Sequence, residues 1–143
     1  MQTVASGSSV YVDANVLIYL LAGDERWGAA ARDFLLSCAA GEYRAFISDA
    51  VCAEVLAGPY RKGDQRALQA ARALIEDSNL FVVLSHSRAD FEASAQLRGE
   101  RGLGFIDALH VATAENNDCE VLVTNDRGLT SSGIPWIVPL AEV

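Results

Sequence analysis

Four carboxylates define the chemistry this sequence could carry. Asp13 directly follows the β-prone apolar run Val10-Tyr11-Val12, and Asp126 closely follows a second such run, Val121-Leu122-Val123. Both fit the end of a buried strand. In an open α/β sheet the carboxyl ends of the strands share the edge where ligands bind. Glu54 and Asp107 fall in helix-patterned stretches that start at that same edge, if each helix follows the strand or loop before it. Acids gathered this way raise one another's pKa unless a cation neutralises them. Oxygen-only ligands, with no cysteine and no essential histidine, favour a hard cation, Mg²⁺ or Mn²⁺. Such an ion can activate water, neutralise a scissile phosphate and stabilise a leaving oxygen, so phosphodiester hydrolysis is the chemistry that suits the set.

Each acid also has an ordinary explanation. Asp13 and Asp126 suit strand ends and turns, Glu54 the solvent face of a helix, and Asp107 a first helical turn favoured by the helix dipole. Only convergence in space separates the two accounts. Arg98 and Arg101 precede Asp107, and Arg127 adjoins Asp126; these cations could meet phosphate or be plain surface charge. His110 lies one turn after Asp107 on an apolar helix, where packing or hydrogen bonding is its expected role.

The elements that must position these residues follow from periodicity. A strand over Val10 to Val12 leads into a helix from about Asn15 to Ala22, ended by Gly23. Asp24 can cap a second helix on which Trp27, Ala30, Ala31, Phe34, Leu35 and Cys38 share a face. Ala45 to Ile47 is the second strand. A helix capped by Ser48 or Asp49 reaches about Ala57, where Gly58-Pro59 is expected to break it. Another amphipathic helix carries Leu68, Ala71, Leu74 and Ile75. Leu80 to Leu84 is the third strand, and Ser87 with Asp90 resembles a capping box for the helix that follows. That helix is expected to stop at the glycine-rich stretch Gly99 to Gly104. Phe105 to Glu115 is the next helix, with Ile106, Leu109, Ala112 and Thr113 as its apolar stripe. Val121 to Val123 and Trp136 to Val138 complete the strands. Met1 to Ser8 reads as a loose lead-in. Strands alternating with helices imply a mostly parallel sheet covered on both faces.

The chain has 143 residues, is half hydrophobic, and carries a formal charge of −8. That length fits a single domain, 1–143, with a substantial core. The charge argues against electrostatic wrapping of nucleic acid by the whole fold, though a carboxylate metal site adds to the same negative count and reverses its sign locally once filled. Cys38, Cys52 and Cys119 form no CxxC pair, and neither His86 nor His110 stands at zinc-like spacing to them, so they read as small partly buried residues in a reducing compartment. The N-terminus lacks the basic residues of a usual signal peptide, and the apolar run after Asn15 is too short to span a bilayer. A cytoplasmic protein with no membrane attachment is expected.

The ordered segments VDANVLIYLL, AEVL, GFIDALHVATA and VLVTNDRGL resemble the PIN-domain ribonucleases, and most of all the VapC toxins of type II toxin–antitoxin systems. The resemblance covers nearly the whole chain. It implies a three-layer α/β/α sandwich around a mostly parallel sheet of about five strands, with a helical hairpin after strand one that grips an antitoxin and a second copy. By it, Asp13, Glu54, Asp107 and Asp126 fall on the acidic, catalytic metal-binding positions, with Asn15 and Thr124 orienting them. Many members carry a further acid and aromatic where this chain has Arg127-Gly128-Leu129; if the fourth ligand were that later acid, the site here would hold three. Asp126 is preferred for its place after the strand. The implied activity is Mg²⁺- or Mn²⁺-dependent cleavage of RNA, with a cognate antitoxin and a homodimer as partners. The alternatives are an RNA-processing PIN nuclease that is not a toxin, and a silent PIN-fold binding module. A strand-end-Asp phosphatase or receiver ranks last: Asp13-Ala14-Asn15 lacks the second acid, and Lys62, the only lysine, does not follow strand four.

Overall fold

The computed structural model describes residues 4–143. Their five strands form one parallel sheet in the order β3-β2-β1-β4-β5. These are β1 (Ser9–Val12), β2 (Arg44–Ser48), β3 (Phe81–Leu84), β4 (Val121–Val123) and β5 (Ile137–Val138). The helices are α1 (Ala14–Ala22), α2 (Gly28–Ala39), α3 (Asp49–Lys62), α4 (Gln65–Ile75), α5 (Arg88–Arg101), α6 (Phe105–Asn116) and the single turn α7 (Arg127–Thr130), with a 3₁₀ turn over Leu140–Glu142. The α/β architecture is the one the alternating pattern implies.

The sheet order has a functional consequence. The chain winds from β1 out to β3 on one side, then returns to place β4 and β5 on the other. The direction of winding therefore reverses between β1 and β4, and at such a switch point the strand ends leave a crevice. Val12 pairs with Val123, and the Asp13 amide donates to the Val123 carbonyl at 3.0 Å. Asp13 and the segment from Thr124 to Asp126 are thus brought together by the ladder itself. Val10, Tyr11 and Val12 are fully buried, as a central parallel strand requires.

Helices α1 to α4 pack among themselves, and α5 packs against α6 as a hairpin. The α1–α2 pair is the helical hairpin expected after strand one, and Tyr19 stacks on Trp27 across it at 6.3 Å. Caps fix several helix starts. Ser48 accepts from the Val51 amide, Asp64 from the Ala67 amide, and Ser87 and Asp90 form a complete capping box. His86 adds a tie that the sequence does not advertise: its Nε2 accepts the Ala50 amide at 3.1 Å, and its Nδ1 bonds Thr113 Oγ1 at 2.9 Å. Among the described residues no helix is long and apolar enough to cross a membrane.

The structure corrects several boundaries. Helix α3 continues through Gly58-Pro59 to Lys62 and ends on Gly63 at φ 62°. A residue before proline is disfavoured in a helix partly because its Cβ clashes with the proline ring, and Gly58 has none. Helix α5 does stop within the expected glycine-rich stretch, at Arg101, with Gly102 taking the left-handed cap at φ 70°. Asp24 accepts the Arg26 and Trp27 amides in a turn before α2 rather than capping the helix itself. On α6, Ile106 is 37% exposed, whereas every residue from Ala108 to Ala114 is buried. The sheet is not covered everywhere: Val82 and Val83 on edge strand β3 are 50% and 42% exposed. The supposed loose lead-in lies partly outside the described residues, but Val4 and Ser8 within it are buried.

Candidate active site

Asp13 is the anchor. It caps α1, its Oδ1 accepting the Ala14 amide at 2.7 Å, and its Oδ2 accepts the Thr124 hydroxyl at 2.7 Å. Thr124 is itself fully buried and accepts from the Asp126 amide at 2.9 Å and from Asn15 Nδ2 at 3.2 Å. Asn15 Oδ1 reaches the Asn125 amide at 3.5 Å. One hydroxyl therefore ties the first acid, the residue two places after it, and the backbone of the last acid into one network across the β1–β4 seam.

Glu54 arrives from α3. Its side chain is 40% exposed, yet its Oε1 lies 2.6 Å from His110 Nε2. The same nitrogen is 3.6 Å from Asp13 Oδ1. Asp13, Glu54 and His110 each present a ligand atom within 4.8 Å of the others. His110 Nδ1 bonds the Tyr11 hydroxyl at 2.7 Å, and that hydroxyl bonds Ser48 Oγ at 2.6 Å.

Asp107, in the first turn of α6, meets Asp126 over Gly128. Asp126 Oδ1 accepts the Gly128 amide at 2.8 Å, capping α7. A Cβ placed on Gly128 would stand 3.1 Å from Asp107 Oδ2 and 3.2 Å from Asp126 Oδ1, so both carboxylates close on the bare side of that glycine. Both are partly buried.

The electrostatics describe a surplus of negative charge. Burial pushes the Asp107 carboxyl up to about 6, helped by Asp126 and Asp13. Burial also raises Asp13, against the opposing pull of His110, Thr124 and the Ala14 amide. Burial alone would lower His110, but the bond to Glu54 and the charges of Asp13, Glu54 and Asp107 outweigh it and hold it raised. Among the described residues His110 is the only basic side chain within salt-bridge reach of Asp13 or Glu54. Asp13 and Glu54, with Asp107 and Asp126 paired over Gly128, offer carboxylate oxygens of the kind that suit a hard divalent cation.

The three arginines singled out in the sequence are exposed. Arg98 lies over the Phe105 ring at 5.6 Å, Arg101 Nη1 donates to the Ser132 carbonyl at 3.4 Å, and Arg127 opens α7 beside Asp126. Two residues of the network escape sequence reasoning in different ways. Tyr11 reads as one more apolar strand residue, although a buried tyrosine hydroxyl needs a partner, which was the available signal. His110 reads as a packing or hydrogen-bonding residue, but nothing in the sequence says that its partner is Glu54.

The chain is 27% identical to a protein of a toxin–antitoxin complex from Klebsiella pneumoniae, with a TM-score of 0.74 over 94% of this chain and 100% of that one. A sarcin–ricin-loop-cleaving VapC toxin from Mycobacterium tuberculosis shares the fold at 20% identity and a TM-score of 0.71, over 87% of this chain and 95% of that one. A VapBC complex from Rickettsia felis bound to promoter DNA does so at 17% identity and 0.72, over 91% of this chain and 97% of that one. Curated protein sequences give no significant match. The family model for the PIN domain matches residues 10–132, a span that opens within β1 and takes in all four carboxylates; the chain belongs to the PIN domain family.

Proposed function

We propose that this protein is a Mg²⁺- or Mn²⁺-dependent endoribonuclease and the toxin of a toxin–antitoxin pair. The observation that carries the reading is two carboxylate pairs at the carboxyl end of the sheet, Asp13 with Glu54 and Asp107 with Asp126, with burial and the neighbouring acids pushing Asp107 up to about 6. These four residues would hold the metal. When bound, the ion supplies neutralisation of the scissile phosphate and a lowered pKa for an attacking water.

The chain's own residues do the rest. Thr124 and Asn15 orient Asp13 and the backbone of Asp126. The Gly128 amide fixes one oxygen of Asp126. Phosphodiester hydrolysis by water needs no side-chain nucleophile. Arg98, Arg101 and Arg127, all exposed, are the cations we assign to phosphate contact.

The toxin assignment draws on the likeness to the Klebsiella complex. It is supported by an exposed apolar groove lined by Ile18, Leu21, Val55, Pro59 and Ala67, with Glu54 in its wall. An antitoxin segment seated there would lie against the metal site. We read residues 1–143 as one domain, acting in the cytoplasm as a homodimer with no membrane attachment. The test is cleavage of total bacterial RNA by purified protein with Mg²⁺, with Mn²⁺ and with chelator, alongside Asp13→Asn and Asp107→Asn. Metal-dependent cleavage abolished by both substitutions supports the nuclease. Cleavage that survives both refutes this site, and active protein whose expression causes no growth arrest refutes the toxin role.

A further inference from the structure

We propose that His110, held from behind by Tyr11 and Ser48, is the positioning residue for Glu54 and sets the affinity of the metal site; this rests on the nuclease reading above. Asp13 and Asp126 are each held by a backbone amide within two residues of themselves. Asp13 has Thr124 and the Ala14 amide, and Asp126 has the Gly128 amide. Glu54 differs. It is the longest of the four acids, its side chain is 40% exposed, and the hydrogen bond that holds it is the one to His110 at 2.6 Å. A free glutamate at that place on α3 would sample several rotamers, and every one of them would have to be surrendered on binding the ion. A preorganised oxygen loses far less.

A carboxylate oxygen only accepts, so His110 Nε2 carries a proton in either charge state of the ring. In the neutral ring Nδ1 then accepts from the Tyr11 hydroxyl, which accepts in turn from Ser48 Oγ. Ser48 Oγ also accepts the Val51 amide at 3.3 Å. Every donor in this chain is spent, and Tyr11, Ser48 and His110 are all buried, at 0%, 0% and 1% exposure. The ring therefore has its orientation fixed from both ends, as imidazoles do when their second nitrogen is bonded. Tyr11 and Ser48 belong to paired strands β1 and β2, so the sheet itself aims Glu54 at Asp13. His110 works through Glu54, and its Nε2 is occupied by that bond rather than offered to a metal.

The experiment measures Mn²⁺ binding by the full chain through the free-Mn²⁺ electron spin resonance signal, with ring-¹⁵N NMR of histidine-labelled protein. His110→Leu is expected to weaken Mn²⁺ binding about tenfold or more, the usual cost of losing such a supporting bond. His110→Gln, whose amide nitrogen can take the place of Nε2, should recover most of it. In a Glu54→Ala background His110→Leu should change Mn²⁺ binding no further. The His110 Nε2–H resonance should shift from its wild-type position in the Glu54→Ala protein. If His110→Leu does not fold, Tyr11→Phe replaces it and should weaken binding about threefold or more, again only while Glu54 is present. Equal losses with and without Glu54 overturn the proposal in favour of a merely structural histidine. Imidazole nitrogen coupling to bound Mn²⁺ overturns it in favour of a ligand. Wild-type protein that binds no Mn²⁺ sinks the nuclease reading itself, whereas wild-type binding left unchanged by His110→Leu sinks this inference alone.

Discussion

Removing the Thr124 hydroxyl should damage stability and metal binding together. Thr124→Val exchanges that hydroxyl for a methyl of nearly equal volume, so no cavity forms at a fully buried position. Three hydrogen bonds disappear: the one to Asp13 Oδ2 at 2.7 Å, the one from the Asp126 amide at 2.9 Å and the one from Asn15 Nδ2 at 3.2 Å. The first is the costly one, because it leaves a buried carboxylate oxygen short of a donor, worth about 1.5–3 kcal/mol. Asp126 and Asn15 are only partly buried and can be rehydrated, so they add little. The net loss should be about 2–3 kcal/mol, which lowers Tm by about 6–12 °C for a chain of this size. Mn²⁺ affinity should fall about tenfold, since Asp13 is freed to turn. The assay is thermal unfolding of metal-free protein paired with Mn²⁺ titration. Thr124→Ser is the control: it keeps the hydroxyl, costs about 1 kcal/mol for the lost methyl, and should leave affinity intact. A Thr124→Val protein within about 0.5 kcal/mol of wild type, with unchanged Mn²⁺ affinity, would refute the view that this hydroxyl organises the site.

Four other outcomes follow from the same geometry. Gly128→Ala places a methyl 3.1 Å from Asp107 Oδ2 and 3.2 Å from Asp126 Oδ1; cleavage and Mn²⁺ affinity should each drop about tenfold or more while Tm hardly moves, and normal activity would contradict the closeness of the two acids. Asp107, raised to about 6 by burial and by its acidic neighbours, holds its proton more tightly when folded than when unfolded, so its contribution to metal-free stability is fully present below about pH 4 and is lost as pH rises through about 6. The stability gained by Asp107→Asn over wild type should therefore grow from pH 4 to 7, and urea unfolding across that range that shows a shrinking gain would reverse the assignment. Asp13→Asn should raise the Tm of metal-free protein at neutral pH, by removing a buried charge, while abolishing cleavage; a lowered Tm would show that the carboxylate is there for the fold. Arg98→Ala and Arg127→Ala should raise KM for RNA more than they lower kcat, and a kcat effect alone would place those side chains elsewhere in the reaction.

The strands were legible because a central parallel strand must be apolar on both faces, and Val10 to Val12 and Val121 to Val123 are. Side-chain caps were legible because Ser87 with Asp90 is a local code. Helix ends marked by glycine were legible only in part: Gly23 caps α1 as expected. Gly58 and Gly99 continue their helices, and the left-handed caps fall to Gly63 and Gly102; which glycine of a pair takes that conformation depends on what packs around it. At the site, residue type and position after a strand pointed to Asp13 and Asp126, but the fit of Glu54 beside Asp13 depends on Tyr11 meeting His110 across 99 residues of sequence. Side-chain alternation cannot announce such a pairing. Nor could it show that β3 leaves Val82 and Val83 in solvent, because an apolar run reads the same at the centre of a sheet and at its edge.

The order of the sheet also governs when the protein can act. Asp13 and the hydroxyl that secures it stand 111 residues apart, on strands that are neighbours in space. Such long-range closure comes late in folding, because the entropy of the intervening chain must be surrendered first. During synthesis, β1 to β3 and their helices can form while β1 still shows an open edge on its β4 side. Until residues 121 to 126 arrive, Asp13 lacks its hydroxyl and Asp126 is absent altogether. A chain that stops before β4 carries Asp13, Glu54 and Asp107 but lacks both Thr124 and Asp126. The hydroxyl that secures Asp13 and the last of the four acids arrive together, on the segment that follows the closing strand.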